Sequence, residues 1–285
     1  MGATYNPSTR GRKHYIVPFM SKLTIATWNV NSVRAHMPVI AAWAEKAKPD
    51  ILLLQETKTV DADFPFFEFS AMGFPHAATH GQKSYNGVAI LSRLPILDVK
   101  TALPGEGEDG EARFVSGAVS GVRVASVYAP NGNPANGPKF PYKIDWLSRL
   151  ASHAGELLRS DANFIFAGDF NIIPEDIDVE SPEKWRGDAL MQPEARQAFR
   201  RLLWMGMTDA WRALHAEGRG YTFWDYQSGA WQKDDGIRID HALLSPRMAD
   251  RLVSCEVDKG PRGMEKASDH TPLVVTLECS GEWLA

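Results

Sequence analysis

Asn163-Phe164-Ile165-Phe166-Ala167-Gly168-Asp169-Phe170-Asn171 runs from an apolar stretch straight into an acid and an amide two residues apart. The apolar part reads as a buried strand. Its end presents several oxygens, a donor set suited to a hard cation or to an attacking water. The arrangement recurs along the chain. Residues 23–28 alternate as a strand and stop at Asn29, and the apolar run 51–54 stops at Gln55-Glu56. Asp240 lies within the strand-like run 237–244, and Asp269-His270 stands just before the run 272–277. Strand ends are where a rigid scaffold presents functional groups.

The elements around these sites bound the fold. Apolar periodicity predicts helices over 36–47, 141–159 and 193–205, with Pro38 in the first turn of the first. Further strands are expected over 87–92 and 122–127, with the acidic, glycine-rich stretch 104–112 between them as a hairpin loop. Residues 128–134 and 172–187 read as loops, and the aromatic segment 221–226 as a strand or turn. Helices fall between only some of the strands. That excludes an all-parallel doubly wound sheet and suits an α/β arrangement of two mixed sheets with helices outside.

Composition narrows the class. The chain has 285 residues and a net charge of −4, so no global basic field marks a nucleic-acid partner, although a local patch still can. The two cysteines, Cys255 and Cys279, form no disulfide framework and no zinc spacing. A reducing compartment, and hence the cytoplasm, fits best. No apolar run approaches the roughly 20 residues of a membrane span. Residues 1–20 carry Arg10, Arg12, Lys13 and His14 without an acid, and read as a flexible extension ahead of a single domain over 21–280.

Singly, each strand-end residue has an ordinary explanation as a turn or a solvated acid. Together they do not, because carboxylates beside apolar runs need a shared partner, and a divalent cation is the simplest. Oxygen donors with one imidazole and no thiolate suit Mg²⁺ or Mn²⁺ rather than Zn²⁺. Mg²⁺ is typically held by few carboxylates plus substrate phosphate, which points to phosphoester chemistry. On this reading Glu56 holds metal, and Asp169 orients or deprotonates water with Asn171 fixing its position. His270, kept charged by Asp240, and Tyr128 serve the phosphate.

The chain resembles the exonuclease III family of abasic-site endonucleases, within the endonuclease/exonuclease/phosphatase superfamily. The resemblance rests on seven stretches in family order: Thr27-Trp28-Asn29-Val30-Asn31-Ser32-Val33-Arg34, Leu54-Gln55-Glu56-Thr57-Lys58, Asn86-Gly87-Val88-Ala89-Ile90-Leu91-Ser92, Tyr128-Ala129-Pro130-Asn131-Gly132, Gly168-Asp169-Phe170-Asn171, Arg238-Ile239-Asp240 and Ser268-Asp269-His270. It implies a four-layer α/β sandwich of the deoxyribonuclease I kind. It implies a metal centre around Glu56, with Asn29, Asp169, Asn171, Asp269 and His270 close by, and Tyr128, Asp169, Asn171, Asp240 and His270 as the catalytic set.

The implied activity is Mg²⁺-dependent cleavage of the phosphodiester 5′ to an abasic sugar, with 3′-5′ exonuclease and 3′-end-trimming activity. The implied partner is double-stranded DNA with abasic sites or blocked 3′ ends, bound by a monomer. Relatives of the superfamily also cut RNA and other phosphoesters, and a non-catalytic nucleic-acid binder is the remaining alternative. Three features favour damaged DNA. Lys58 follows Glu56 in the abasic-site pattern. Phe223, Trp224 and Ile239 fall where the family walls a pocket for a flipped-out sugar, with ordinary core packing as the competing reading for Trp224. Arg34, Lys58, Lys83, Lys139, Lys143 and Lys266 fall on loops expected to meet phosphates.

Overall fold

The computed structural model describes residues 22–105 and 110–279. The expected extension over 1–20 lies outside the described residues, as does part of the 104–112 loop. The strands, in chain order, are β1 (Lys22–Asn29), β2 (Ile51–Gln55), β3 (His76–His80), β4 (Val88–Ser92), β5 (Leu97–Lys100), β6 (Phe114–Val119), β7 (Val122–Tyr128), β8 (Phe164–Asp169), β9 (Thr208–Asp209), β10 (Asp240–Leu244), β11 (Leu252–Val257) and β12 (Leu273–Glu278). The helices are α1 (Met37–Ala47), α2 (Phe66–Ala71), α3 (Lys139–Arg159), α4 (Pro182–Trp185), α5 (Pro193–Trp204), α6 (Ala210–Leu214) and α7 (Pro246–Ala249).

Among the described residues these strands make two six-stranded sheets, ordered β11-β12-β1-β2-β4-β3 and β5-β6-β7-β8-β10-β9. Each sheet has one parallel pair, β1 with β2 and β7 with β8, and is otherwise antiparallel. Both parallel pairs are bridged by a helix, α1 and α3, as a parallel crossover requires.

Side-chain alternation builds the layers. Leu23, Ile25, Ile51 and Leu53 meet Val122, Val124, Ile165 and Ala167 between the sheets. The intervening Ala26, Trp28, Leu52 and Leu54 turn outward onto Val39, Ile40 and Trp43 of α1 and Phe69 of α2. On the far side Ala125, Phe164, Phe166 and Leu243 pack on Trp146, Leu147 and Leu150 of α3 and Phe199 and Leu202 of α5. The continuous apolar run of β2 follows from this, because both of its faces are buried. The result is the expected four-layer sandwich.

Toward one end the layer between the sheets changes character. Gln55 donates to Thr27 Oγ1 at 3.0 Å and across the seam to Ser126 Oγ at 2.8 Å, and Ser126 Oγ donates to the Leu54 carbonyl at 2.7 Å. The same period of two then carries Asn29, Tyr128, Asp169 and Asp240 to the inner face, at the end of their strands.

Several elements were not expected from the sequence. β3, β5 and β11 carry little apolar alternation, and all four residues of β5 are exposed at a sheet edge. The run 237–244 becomes regular strand only from Asp240. Ile237 instead makes single bridges to Val179 and Phe223, so the aromatic segment is tied down without forming a strand of its own.

Candidate active site

Seven side chains, from strands and strand ends of both sheets, converge where the inner layer turns polar. Asn29 sits at the centre. Its Nδ2 donates to Glu56 Oε1 at 2.9 Å and to Asp169 Oδ2 at 3.0 Å, while its Oδ1 accepts from the Asn31 N–H at 3.0 Å. A backbone N–H can only donate, so the Asn29 amide has one orientation. Its oxygen is turned to the backbone and its N–H groups to the two acids. Tyr128 donates its hydroxyl to Glu56 Oε1 at 2.9 Å, and Lys58 Nζ pairs with Glu56 Oε2 at 2.8 Å. On the other side His270 Nδ1 meets Asp240 Oδ2 at 2.7 Å, with His270 Nε2 3.8 Å from Asp169 Oδ2.

The backbone is shaped to make this possible. A Cβ on Gly168 would stand 1.9 Å from the Val127 carbonyl oxygen, so only glycine lets β7 and β8 close up beside Asp169. Asn31, Glu56, Lys58 and Asn171 all take left-handed conformations, with φ of 45°, 52°, 54° and 50°. Such conformations cost of the order of 1 kcal/mol each and gather where side chains must be aimed.

The charges explain how the protons are held. Burial pushes the Glu56 carboxyl up, but the Asn29 hydrogen bond and the Lys58 ion pair outweigh it and leave the group below its usual range. Burial lifts Asp169 to about 7, against the pull of His270 and with Asp240 adding to the rise. Burial works against the His270 cation, but Asp240, by charge and by hydrogen bond, raises it to about 10. The imidazole therefore carries both protons at neutral pH. Burial and the neighbouring Glu56 and Asp169 hold the Tyr128 hydroxyl well above its ordinary value, so it stays protonated.

This arrangement tests which residues fit a metal. Ligand atoms of Asp169, Asp240 and His270 all lie within 4.8 Å of one another. Yet a protonated imidazole bonded to Asp240 is a donor and not a ligand. With every acid ionised, the carboxylates Glu56, Asp169, Asp240 and Asp269 outnumber the cations Lys58 and His270 by two, and a divalent cation near Glu56 would balance that surplus and favour the ionised form of Asp169. Asp269 is joined to this cluster through Asn31, whose Nδ2 donates to Asp269 Oδ1 at 3.1 Å and whose Oδ1 accepts from Lys58.

Not every expected residue arrives at the site. The Asn171 side chain is taken up by Asn131, which donates to its Oδ1 at 3.0 Å, and by the Ala129 carbonyl, also at 3.0 Å. The link to Asp169 is through the Asn171 backbone N–H, at 2.8 Å from Asp169 Oδ1. Phe223 packs edge-on against His270, with ring centroids 5.0 Å apart, and Ile239 joins it in an apolar cluster with Ile173, Leu190 and Met191. Trp224 faces the other way. It is fully buried against Tyr221, Ala230 and Trp231, and its indole N–H donates to Asp234 at 3.0 Å, so it is core and not a wall of the site. Lys143 is likewise no surface contact: it is fully buried. Arg34, Lys83, Lys139 and Lys266 are exposed, and Arg34 donates to the Asp63 carbonyl at 2.6 Å.

Beneath the site lies a buried polar lattice that sequence reasoning missed. Arg238 pairs with Asp178 at 2.7 Å and with Asp209 at 2.8 Å. It also donates to His241 Nδ1 at 3.0 Å, which leaves the proton on Nε2, 3.0 Å from the Ile172 carbonyl. Burial, and then the Arg238 charge, pull the His241 imidazole from 6.5 down to about 4. The folded state therefore holds His241 neutral, and its contribution to stability is present above pH 6.5 and lost as pH falls from there toward 4. Urea titrations at pH 7 and pH 5 are expected to differ by about 2 kcal/mol from this group. His241→Gln should flatten that difference; an unchanged difference would remove His241 from the account.

The fold and the site together are those of a phosphoester hydrolase. Residues 26–270 match the family described as the endonuclease/exonuclease/phosphatase family. The exodeoxyribonuclease III of Haemophilus influenzae is 31% identical over 259 residues, spanning 87% of this chain and 97% of that protein. An AP endonuclease from Archaeoglobus fulgidus superposes with a TM-score of 0.86 at 38% identity, over 90% of this chain and 100% of that one. A 3′ phosphatase from Neisseria, solved with a product DNA hairpin, superposes at 0.87 and 40% identity with the same coverage. The chain belongs to the endonuclease/exonuclease/phosphatase family, in its exonuclease III branch. It is a hydrolytic nuclease. Among the described residues no helix is long and apolar enough to cross a membrane.

Proposed function

We propose that this nuclease is a cytoplasmic, monomeric DNA repair enzyme. It cuts the phosphodiester 5′ to an abasic sugar and trims blocked 3′ ends. The observation that carries the reading is the unbroken path Tyr128–Glu56–Asn29–Asp169–His270–Asp240, which puts a metal-binding acid, a buried base and a proton donor side by side.

A divalent cation, Mg²⁺ with Mn²⁺ as an alternative, would be held by Glu56 and Asp269. When bound, it supplies charge neutralisation at the phosphate and lowers the pKa of water. Asn29 keeps Glu56 and Asp169 at one spacing. Asp169, with its elevated proton affinity, orients the attacking water and takes its proton. His270, charged and aimed by Asp240, donates to a phosphate oxygen as negative charge develops there. Tyr128 donates alongside it. Cleavage of the bond to the upstream 3′ oxygen leaves a 3′-hydroxyl and a 5′-deoxyribose phosphate.

Damaged DNA as the substrate is supported by Phe223, half-buried beside His270 in front of the buried apolar cluster of Ile239, Ile173, Leu190 and Met191. A base-free sugar can lie against that apolar ring where a larger base would not. Lys184 and Arg186, which the sequence did not single out, line an open polar groove next to Asn133 and suit a phosphate backbone. The 3′-end activity is favoured by the likeness to the Neisseria 3′ phosphatase.

A defined abasic duplex, an intact duplex and a 3′-phosphate end, each with Mg²⁺ and with chelator, test the reading. Cleavage of the abasic strand well above the intact one is expected only with metal, and equal rates on both duplexes would overturn it. Phe223→Ala is expected to lower the abasic-to-intact ratio by about tenfold, by removing the apolar ring beside His270. An unchanged ratio would count against Phe223 as the selecting element.

A further inference from the structure

Lys143 lies one turn into α3, between Tyr142 and Ile144, and its side chain is fully buried. Its Nζ donates to three main-chain carbonyls. One belongs to Asn131, at 3.0 Å, one to Asn171, and one to Ala189, at 3.4 Å. These carbonyls come from three separate segments: the loop after β7, the turn after β8, and the loop that follows α4. Room is made for the stem at Gly132, where a Cβ would stand 2.7 Å from Lys143 Cδ. Burial pulls the Lys143 amine down to about 7, against the charges of Asp169 and Asp188; three carbonyls call for three N–H donors, which only the ammonium form provides.

What those carbonyls belong to matters more than their number. Asn171, whose carbonyl Lys143 holds, donates through its own backbone N–H, on the other side of its Cα, to Asp169 Oδ1 at 2.8 Å, and it takes the left-handed conformation, with φ 50°. Asn131 holds the Asn171 amide through its own side chain, at 3.0 Å. One buried ammonium thus anchors both asparagines, and Asp169 is reached at one remove.

We propose that Lys143 is a positioning residue for hydrolysis: by pinning the Asn131, Asn171 and Ala189 carbonyls it sets the Asn171 N–H that aims Asp169 at the attacking water. The inference rests on the proposed role of Asp169. A misplacement of the water-directing carboxylate by about 1 Å costs on the order of 100-fold in rate, while Lys143, fully buried, makes no DNA contact of its own.

The test is a double-mutant cycle in single-turnover cleavage of an abasic duplex with Mg²⁺, with duplex affinity measured alongside and the fold checked by circular dichroism at the assay temperature. Lys143→Met, which keeps length and removes every donor, is expected to slow cleavage by about 100-fold with affinity within about threefold. In an Asp169→Asn background the same change is expected to cost less than about threefold, because the aim of Asp169 no longer matters. Equal losses in both backgrounds, or no loss in the parent, would overturn the proposal. Full activity of Asp169→Asn alone would instead remove the role of Asp169, an outcome distinguishable from both. If Lys143→Met does not fold, Lys143→Gln, which retains two N–H donors, carries the same cycle.

Discussion

Glu56→Gln is expected to lower metal-dependent cleavage by about 10³-fold or more while leaving a folded protein. The substitution keeps the shape of the side chain and an oxygen for Asn29 and Tyr128, which now bond Glu56 Oε1 at 2.9 Å each. It removes an acid whose carboxyl is held below its usual range, and with it the negative charge that a cation would meet. Lys58 loses its ion-pair partner, but it is partly exposed and water takes up its charge, so the fold survives. Two measurements check this: turnover of the abasic duplex, and Mn²⁺ affinity by titration calorimetry. Wild-type turnover with wild-type Mn²⁺ affinity would remove Glu56 from the metal centre.

Asp169→Asn and His270→Gln are expected to lower kcat by roughly 10²- to 10⁴-fold, with affinity for the duplex changed only a few-fold. Both side chains are almost fully buried, so on the proposed roles they meet only the scissile phosphate and its attacking water, and the rest of the duplex is held elsewhere. Asparagine in place of Asp169 keeps one acceptor oxygen, for the Asn171 N–H, but turns an NH2 toward the Asn29 amide donor and cannot take a proton. Glutamine in place of His270 leaves Asp240 as a buried acid without its cationic partner, and Asp240 Oδ1 already lacks one. That second variant is therefore expected to be less stable as well. Loss of affinity at unchanged kcat in either variant would contradict the proposed roles.

Much of the site was legible because sheets impose a period of two. Once residues 23–28 and 163–167 are strands with one face inward, Asn29 and Asp169 must continue that face, and the structure puts them 3.0 Å apart. The same strand-end reading picked out Glu56, Asp240, Asp269 and His270, and family likeness joined them into one ordered set. What could not be read is what depends on loops meeting. Phe223 and Trp224 are adjacent aromatics, so one can face the site only if the other faces the core. Which is which depends on single bridges to Ile237 and His270 that no local pattern announces. Lys143 looked like a surface lysine because burial of its ammonium requires three distant carbonyls to converge. Edge strands such as β5 were missed because an exposed edge needs no apolar alternation.

The seam between the sheets sets a further condition on when this enzyme can act. Asn29, Glu56 and His270 come from the sheet of β1, and Tyr128, Asp169 and Asp240 from the sheet of β8, with Gln55 and Ser126 stitching the two just below. Neither sheet alone holds a working set. The first is also built from strands remote in the chain, since β1 pairs with β12 across some 250 residues of sequence. A chain emerging from the ribosome therefore lacks His270 and the strand that steadies it until residues 270–278 have been made. Nuclease activity is therefore expected only once that last strand is in place, and a fragment that ends before His270 is expected to lack it.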